Sequence, residues 1–345
     1  MERNTEKPLI AITMGDPAGI GPEILAKLFA DPWVHSVCRP IAIGDLCALK
    51  RAQKQTGRAL FIRIINRPKE AVFDGTSINL LDMGCLEEEG YELGKVSPMC
   101  GNAAFRYVEK AIELASAGSV DATVTAPVNK EAMNLAGHHF SGHTEIYAAY
   151  TGVKDYAMML AYGQMRVVHV STHVSLREAC DRVKKDRILK VIQMAQQACR
   201  ELGIEDPGIA VAGLNPHCGE GGLFGREELE EIIPAVEEAR KQGIRAEGPV
   251  PADTVFCKLK SGLYDICVCM YHDQGHIPVK LAGFQWDEDG KPEAMNGINL
   301  TLGLPIIRVS VDHGTAFDIA GKNMASETSL AEAVKYATAI VRSRS

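Results

Sequence analysis

The chain has 345 residues, 46% hydrophobic and 23% charged, the composition of a soluble globular protein; disordered, collagenous and coiled-coil classes are excluded. At this length one hydrophobic core stops growing, so two lobes are expected. A net charge of −7 without long like-charge blocks argues against nucleic acid as a partner, and ten cysteines are too sparse for a disulfide scaffold.

The stretch Met1–Lys7 is polar and lacks the apolar core of a signal peptide, and no apolar run approaches the roughly 18 residues of a membrane span. The expected location is the cytoplasm, with Cys199, Cys257, Cys267 and Cys269 reduced and packed as small hydrophobes. Short β-branched runs alternate with segments of helical period, which predicts two α/β/α lobes with largely parallel sheets. Strands are expected at Leu9–Thr13, Ala122–Thr125, Val167–Ser171, Ile209–Ala212, Ile266–Met270 and Ile306–Val311, all continuous apolar runs suited to sheets covered on both faces. Phe105, Val108, Ile112 and Ala115 form one helical stripe, and Leu330, Val334, Ala337 and Val341 another. Leu229, Ile232, Ile233 and Val236 form a third, which Pro234 is expected to kink or split. The lobes are assigned to residues 1–130 with 300–345, and to 131–299.

Open α/β sheets bind ligands beyond the carboxyl ends of their strands, and polar residues gather there. Neither Gly-x-Gly-x-x-Gly nor a P-loop occurs. The segment Gly15 to Gly21 reads as a tight strand-to-helix turn or a ligand loop, with Gly21 and Pro22 opening the next helix. His173, His217 and His272 are the expected metal ligands, since three neutral imidazoles leave a divalent ion free positions for substrate or water. Asp273 adjoins His272, and Asp253 is a second acid for orienting an imidazole or moving a proton, although it reads equally as a helix N-cap. Lys280, Arg308, His143 and Thr144 suit a phosphate; a capping turn also explains Thr144, whereas Arg308 in an apolar strand demands a charged or polar partner. Glu87 to Glu89 and Arg182 to Arg187 read as solvated faces, and Trp286 to Pro292 as an exposed loop.

Seven blocks in order carry a resemblance. They are Met14 to Glu23, Gly142-His143-Thr144-Glu145, Gly213 to Gly222, Pro251-Ala252-Asp253-Thr254, Tyr271 to Gly275, Asn299 to Pro305 and Asp312 to Ala316. The chain resembles the PdxA family, 4-hydroxythreonine-4-phosphate dehydrogenase and its relatives, almost end to end. The resemblance implies a fold like isocitrate and isopropylmalate dehydrogenases, with the active site in the cleft between lobes, and NAD bound without the Rossmann glycines. His313 to Gly321 looks like the adenosine loop of that wider group, so Gly314, Thr315 and Asp318 are expected at NAD, with NADP left open, and Asn215 is expected at the cofactor as well. By the same matching His173, His217 and His272 take metal positions for Zn, Mg or Co, and His143, Thr144, Lys280, Asn299 and Arg308 take substrate positions. Family members are homodimers whose active sites lie at the subunit interface, so the three ligands need not come from one chain.

The segment between Gly283 and Asn299 looks longer than in the biosynthetic enzyme, and Thr172 to Arg177 looks like the branch that oxidises 4-phospho-D-threonate or 4-phospho-D-erythronate. The expected activity is NAD- and metal-dependent oxidation, with decarboxylation, of a 4-phosphorylated four-carbon 3-hydroxy acid, with Asp253 and Asp273 as proton-transfer or orienting acids. A metal-dependent hydrolase or aldolase on a phosphorylated sugar acid is the first rival. A non-catalytic phospho-ligand binding protein is the second.

Overall fold

The computed structural model describes residues 6–87, 89–286 and 292–344. Its strands, in chain order, are β1 (Leu9–Thr13), β2 (Arg39–Gly44), β3 (Phe61–Ile65), β4 (Ser77–Asp82), β5 (Ala122–Thr125), β6 (Ala157–Tyr162), β7 (Met165–His169), β8 (Ile209–Ala212), β9 (Ala246–Val250), β10 (Ile266–Cys269), β11 (Phe284–Trp286), β12 (Pro292–Met295), β13 (Ile298–Leu302) and β14 (Arg308–Val311). The chain forms two compact units, Met1–Lys154 with Leu304–Ser345, and Asp155–Gly303. Residues 131–154, assigned from sequence to the second lobe, pack within the first unit.

In the first unit the strand order is β3-β4-β2-β1-β5-β14, and every pairing is parallel. Ile10, Ala11 and Ile12 of β1 are fully buried, which explains why this strand reads as an unbroken apolar run. Helix Pro98–Ser116 starts where Ser97 accepts the Cys100 amide at 3.4 Å with Pro98 in the first turn. It buries Phe105, Val108 and Ile112 from its predicted stripe, each side chain stabilising the fold by about 1.5–3 kcal/mol. The last helix, Thr328–Arg344, buries Leu330, Val334 and Ala337 in the same way. Helix Gly21–Ala30 has Ile20, not Gly21, as its N-cap; a Cβ on Gly21 would stand 2.0 Å from the Met14 carbonyl oxygen, so close backbone approach requires glycine there.

In the second unit the order is β13-β6-β7-β10-β8-β9. The pairs β13/β6 and β6/β7 are antiparallel and the rest parallel. The antiparallel insertion follows from the chain reversing through Gly163-Gln164, with Gly163 at φ 55°, so β7 begins at Met165 rather than at Val167. Pro234 does split its helical pattern: a π-helical turn, Glu228–Ile232, leads into an α-helix, Ile233–Lys241, with Pro234 in the first turn.

Two readings change. Arg187 is half-buried and donates to the Val170 carbonyl at 3.0 Å and the Tyr156 carbonyl at 2.8 Å, so it ties loops together instead of facing solvent. Cys257 is exposed, while Cys199, Cys267 and Cys269 are buried thiols as expected. The Trp286–Pro292 segment has its ends in the antiparallel pair β11/β12; residues 287–291 lie outside the described residues. Among the described residues no helix is long and apolar enough to cross a membrane.

Candidate active site

Polar side chains cluster beyond the carboxyl ends of the parallel strands, where helix N-termini and irregular loops leave room for them. In the second unit an open cleft of about 620 Å³ is lined by Thr172, His173, Ser175, Tyr271, His272 and Asp273 among others. His173 follows β7, and His272 begins helix His272–Gly283 after β10. Their ring centres are 5.9 Å apart. With metal–nitrogen bonds of about 2 Å, two imidazoles on one ion have ring centres roughly 5–6 Å apart, so this pair fits a shared divalent cation. His272 Nδ1 lies 2.7 Å from Asp273 Oδ1. A proton on Nδ1 then leaves Nε2 as the ligating nitrogen, the arrangement by which a carboxylate fixes a metal-binding histidine.

His217 is not among the residues that line this cleft. It lies on the left-handed turn after β8, with φ 51°, and among the described residues no three His, Cys, Asp or Glu side chains come together to hold one ion. The donor types therefore suit a metal, while one chain brings only His173 and His272 together. Helix Ala252–Lys260 packs against the His217 turn, and the Asp253 carboxylate helps to push the Cys218 thiol pKa up, after burial and Glu228. Asp253 is not the N-cap; Pro251 is, and Asp253 is exposed in the first turn.

Behind His272 lie two histidines that the sequence reading passed over. His276 is stacked on His272, ring centres 3.5 Å apart and planes 11° from parallel. His276 Nδ1 is 2.9 Å from the His272 carbonyl and 3.2 Å from His169 Nε2, and His169 Nδ1 is 3.0 Å from the Met158 carbonyl. Burial drives the pKa of His169 down to about 4 and that of His276 to about 2, so both rings are neutral near pH 7. The signal available in the sequence was the four-residue spacing of His272 and His276 on one helix. Lys280, two helical turns after His272, places its ammonium 5.2 Å from the Phe284 ring centre, and Asn299 is half-buried on β13 opposite Leu160.

In the first unit Arg308 opens β14 with 2% exposure. Its guanidinium reaches Thr125 Oγ1 at 3.3 Å and Thr144 Oγ1 at 3.5 Å, and lies 5.8 Å from the Tyr147 ring centre. Burial lowers its pKa to about 10, against the opposing pull of Tyr147 and Glu145, so it stays cationic. Thr144 is buried in the first turn of helix His143–Thr151, whose N-cap is Gly142, and its hydroxyl accepts from the Arg308 guanidinium. His143 Nε2 is buried without a hydrogen-bond partner. Burial first, then the charges of Arg308 and Lys130, hold the His143 pKa well below its usual value, leaving a neutral ring beside a cation. This is an anion site in character: a buried guanidinium, hydroxyls and a helix N-terminus.

The expected cofactor residues also fall at strand ends. Gly314 and Asp318 are exposed, Thr315 half-buried, in the turn after β14. The Thr315 carbonyl accepts the Ile20 amide at 3.0 Å, which joins that turn to the Gly15–Gly21 loop. Asp16 in this loop is fully buried; Oδ1 accepts the Ala18 amide at 2.9 Å, Oδ2 has no partner, and burial raises its pKa to about 6. Asn215 spends its side-chain N–H groups on Glu227 at 2.7 Å and Glu228 at 2.9 Å.

Residues 36–337 match the family described as pyridoxal phosphate biosynthetic protein PdxA. The D-threonate 4-phosphate dehydrogenase of Cupriavidus necator is 46% identical over 338 residues, covering 98% of each chain. That of Salmonella typhimurium is 46% identical over 96% of this chain and 98% of its own length. The crystal structure of 4-hydroxythreonine-4-phosphate dehydrogenase from Klebsiella pneumoniae is 44% identical, with a TM-score of 0.83 over 97% of this chain and all of that one. With a match this long, carried through the histidine cleft and the arginine site alike, the chain belongs to the PdxA family.

Proposed function

We propose that the chain is a dehydrogenase of D-threonate 4-phosphate or a near stereoisomer, oxidising the C3 hydroxyl with NAD. The observation that carries the reading is the His173–His272 pair in an open cleft with Asp273 fixing one ring. The relatives named above supply the substrate class.

Arg308, Thr144 and His143 would bind the phosphate, with Lys280 and Asn299 as further cationic and amide donors. Binding energy spent on that remote group positions the C3 carbon for hydride loss. Gly314, Thr315, Asp318 and Asn215 would bind NAD; an acidic Asp318 at the adenosine ribose favours a 2′-hydroxyl over the 2′-phosphate of NADP. Asn215, with its N–H groups occupied, offers the cofactor only its carbonyl oxygen. His173, His217 and His272 would hold a divalent ion, which would supply Lewis acidity for the oxidation and the decarboxylation. Asp273 keeps His272 in the ligating tautomer, and Asp253 takes the hydroxyl proton. The resulting β-keto acid loses CO2 to a phosphorylated three-carbon hydroxyketone.

His217 completes the ligand set from a second copy of the chain in this reading. Supporting it, helix His272–Gly283 presents Ile277 and Leu281 at 63% and 80% exposure, an apolar stripe suited to self-association. The reduced thiols fit a cytoplasmic setting.

The test is a panel of D-threonate 4-phosphate, D-erythronate 4-phosphate and 4-phosphooxy-L-threonine, each with NAD and a divalent ion, followed by NADH absorbance. Fastest NADH formation on D-threonate 4-phosphate is the expected result. Turnover in NAD-free buffer would point to the hydrolase instead, and equal rates on all three would remove the substrate assignment.

A further inference from the structure

Residues His217, Cys218, Gly219, Glu220, Gly221 and Gly222 all have positive φ, from 45° to 99°. Three of them carry side chains, and for L-residues the left-handed conformation crowds Cβ against the following carbonyl oxygen. A run of this kind persists only where its surroundings over-determine it, and strain of this sort gathers at functional sites.

Glu228 is what surrounds it. Its side chain is 1% exposed, although no Lys or Arg is paired with it among the ion pairs of the described residues. Oε1 accepts the Leu214 amide at 2.8 Å and the Asn215 amide at 2.7 Å, and Oε2 accepts Asn215 Nδ2 at 2.9 Å. The carboxylate thus fastens the chain just before the turn. It also abuts the turn itself, since a Cβ on Gly219 would stand 2.8 Å from Oε2. The Cys218 amide donates back to the Asn215 carbonyl at 3.1 Å, so the fastened residue is also the first hydrogen-bonded anchor of the turn.

We propose that Glu228 is a positioning residue for metal binding: its buried carboxylate holds the left-handed turn that presents His217. The proposal rests on the reading of His217 as a ligand. Glu228 does not touch the ion; it decides where the imidazole stands. The hydroxyl-bearing or aliphatic residues that would tolerate burial as well cannot replace it, because three N–H donors converge on two oxygens.

The experiment uses the full-length protein with Co2+ as the probe, reading its dissociation constant and ligand-field absorption together with the melting temperature. Glu228→Gln keeps the size but turns an N–H2 toward the Asn215 amide. It is expected to weaken Co2+ binding roughly 10- to 100-fold and to alter the ligand-field band, as loss of supporting groups around metal ligands does. Glu230→Gln on the same turn, whose partner Arg226 is exposed, is the control and should leave both readings alone. Should Glu228→Gln fail to fold, Glu228→Asp keeps the charge and withdraws the oxygens by one methylene, with the same loss expected. A folded Glu228 variant with wild-type Co2+ affinity and band, alongside a His217→Ala variant that has lost binding, overturns the proposal alone. Wild-type binding by His217→Ala overturns the ligand reading and the proposal with it.

Discussion

His276 lies flat against His272, with ring centres 3.5 Å apart, and its Nδ1 shares hydrogen bonds with the His272 carbonyl and His169. The stack limits where the His272 ring can turn while Asp273 fixes its tautomer. His276→Ala should therefore weaken Zn2+ or Co2+ binding about tenfold, and His276→Phe, which keeps a flat ring, should recover most of that loss. Competitive titration with a metal-binding dye checks both. Equal affinities for wild type and the alanine variant would show that the stack does not orient the ligand.

Arg308 should discriminate phosphorylated from unphosphorylated substrate. Lysine cannot reach Thr125 and Thr144 at once from one planar group. Arg308→Lys is expected to raise KM for the phosphorylated acid roughly 10- to 100-fold, the range for lost hydrogen bonds to a charged group. D-threonate itself should be used no worse than by wild type. A parallel fall on both compounds would place Arg308 outside the phosphate site.

Asp16 makes stability pH-dependent with a defined sign. Its folded pKa of about 6 lies above the ordinary 3.8, so between those values the folded chain holds a proton that the unfolded chain has released. Stability from this group is greatest below pH 4, falls as pH rises toward 6, and stays lower above it, by about 3 kcal/mol. Asp16→Asn retains the acceptor for the Ala18 amide and carries no charge. Its melting temperature relative to wild type should climb between pH 4.5 and 7, a window spanning that pKa. A constant difference across the range would contradict the raised pKa.

Tyr107 donates its hydroxyl to Asp45 Oδ2 at 2.5 Å, both side chains being buried. Tyr107→Phe leaves that oxygen without its donor and should cost about 1–3 kcal/mol. The denaturation midpoint should fall with the slope unchanged, since the surface exposed on unfolding is the same. No shift in midpoint would mean that Asp45 finds another donor.

Much of the fold was legible because its signals are local. β1, β5 and β8 run over the residues expected, and the Phe105 and Leu330 stripes face their cores, because apolar periodicity records burial directly. Arg308 was legible for the opposite reason, as a charge in an apolar strand. The antiparallel β6 and β7 were not, since Ala157–Tyr162 reads as any buried apolar run and pairing direction is not written in periodicity. Arg187 read as part of a solvated face because a charge run does not say which member finds carbonyls to bind.

Residue order alone determined which chemistry was available: imidazoles, acids, a guanidinium and hydroxyls at successive strand ends, in the sequence of blocks that marks the family. What only the tertiary structure decided is which of these groups meet. His169 and His276 are 107 residues apart and share a hydrogen bond, while Glu228 closes back on Leu214 across 14 residues. His217, equal to His173 and His272 in the sequence, lies on a left-handed turn and not in the lining of the cleft that those two share. Those contacts depend on strand order and loop path, and such through-space relations are fixed when the sheet assembles, not by the spacing of residues along the chain.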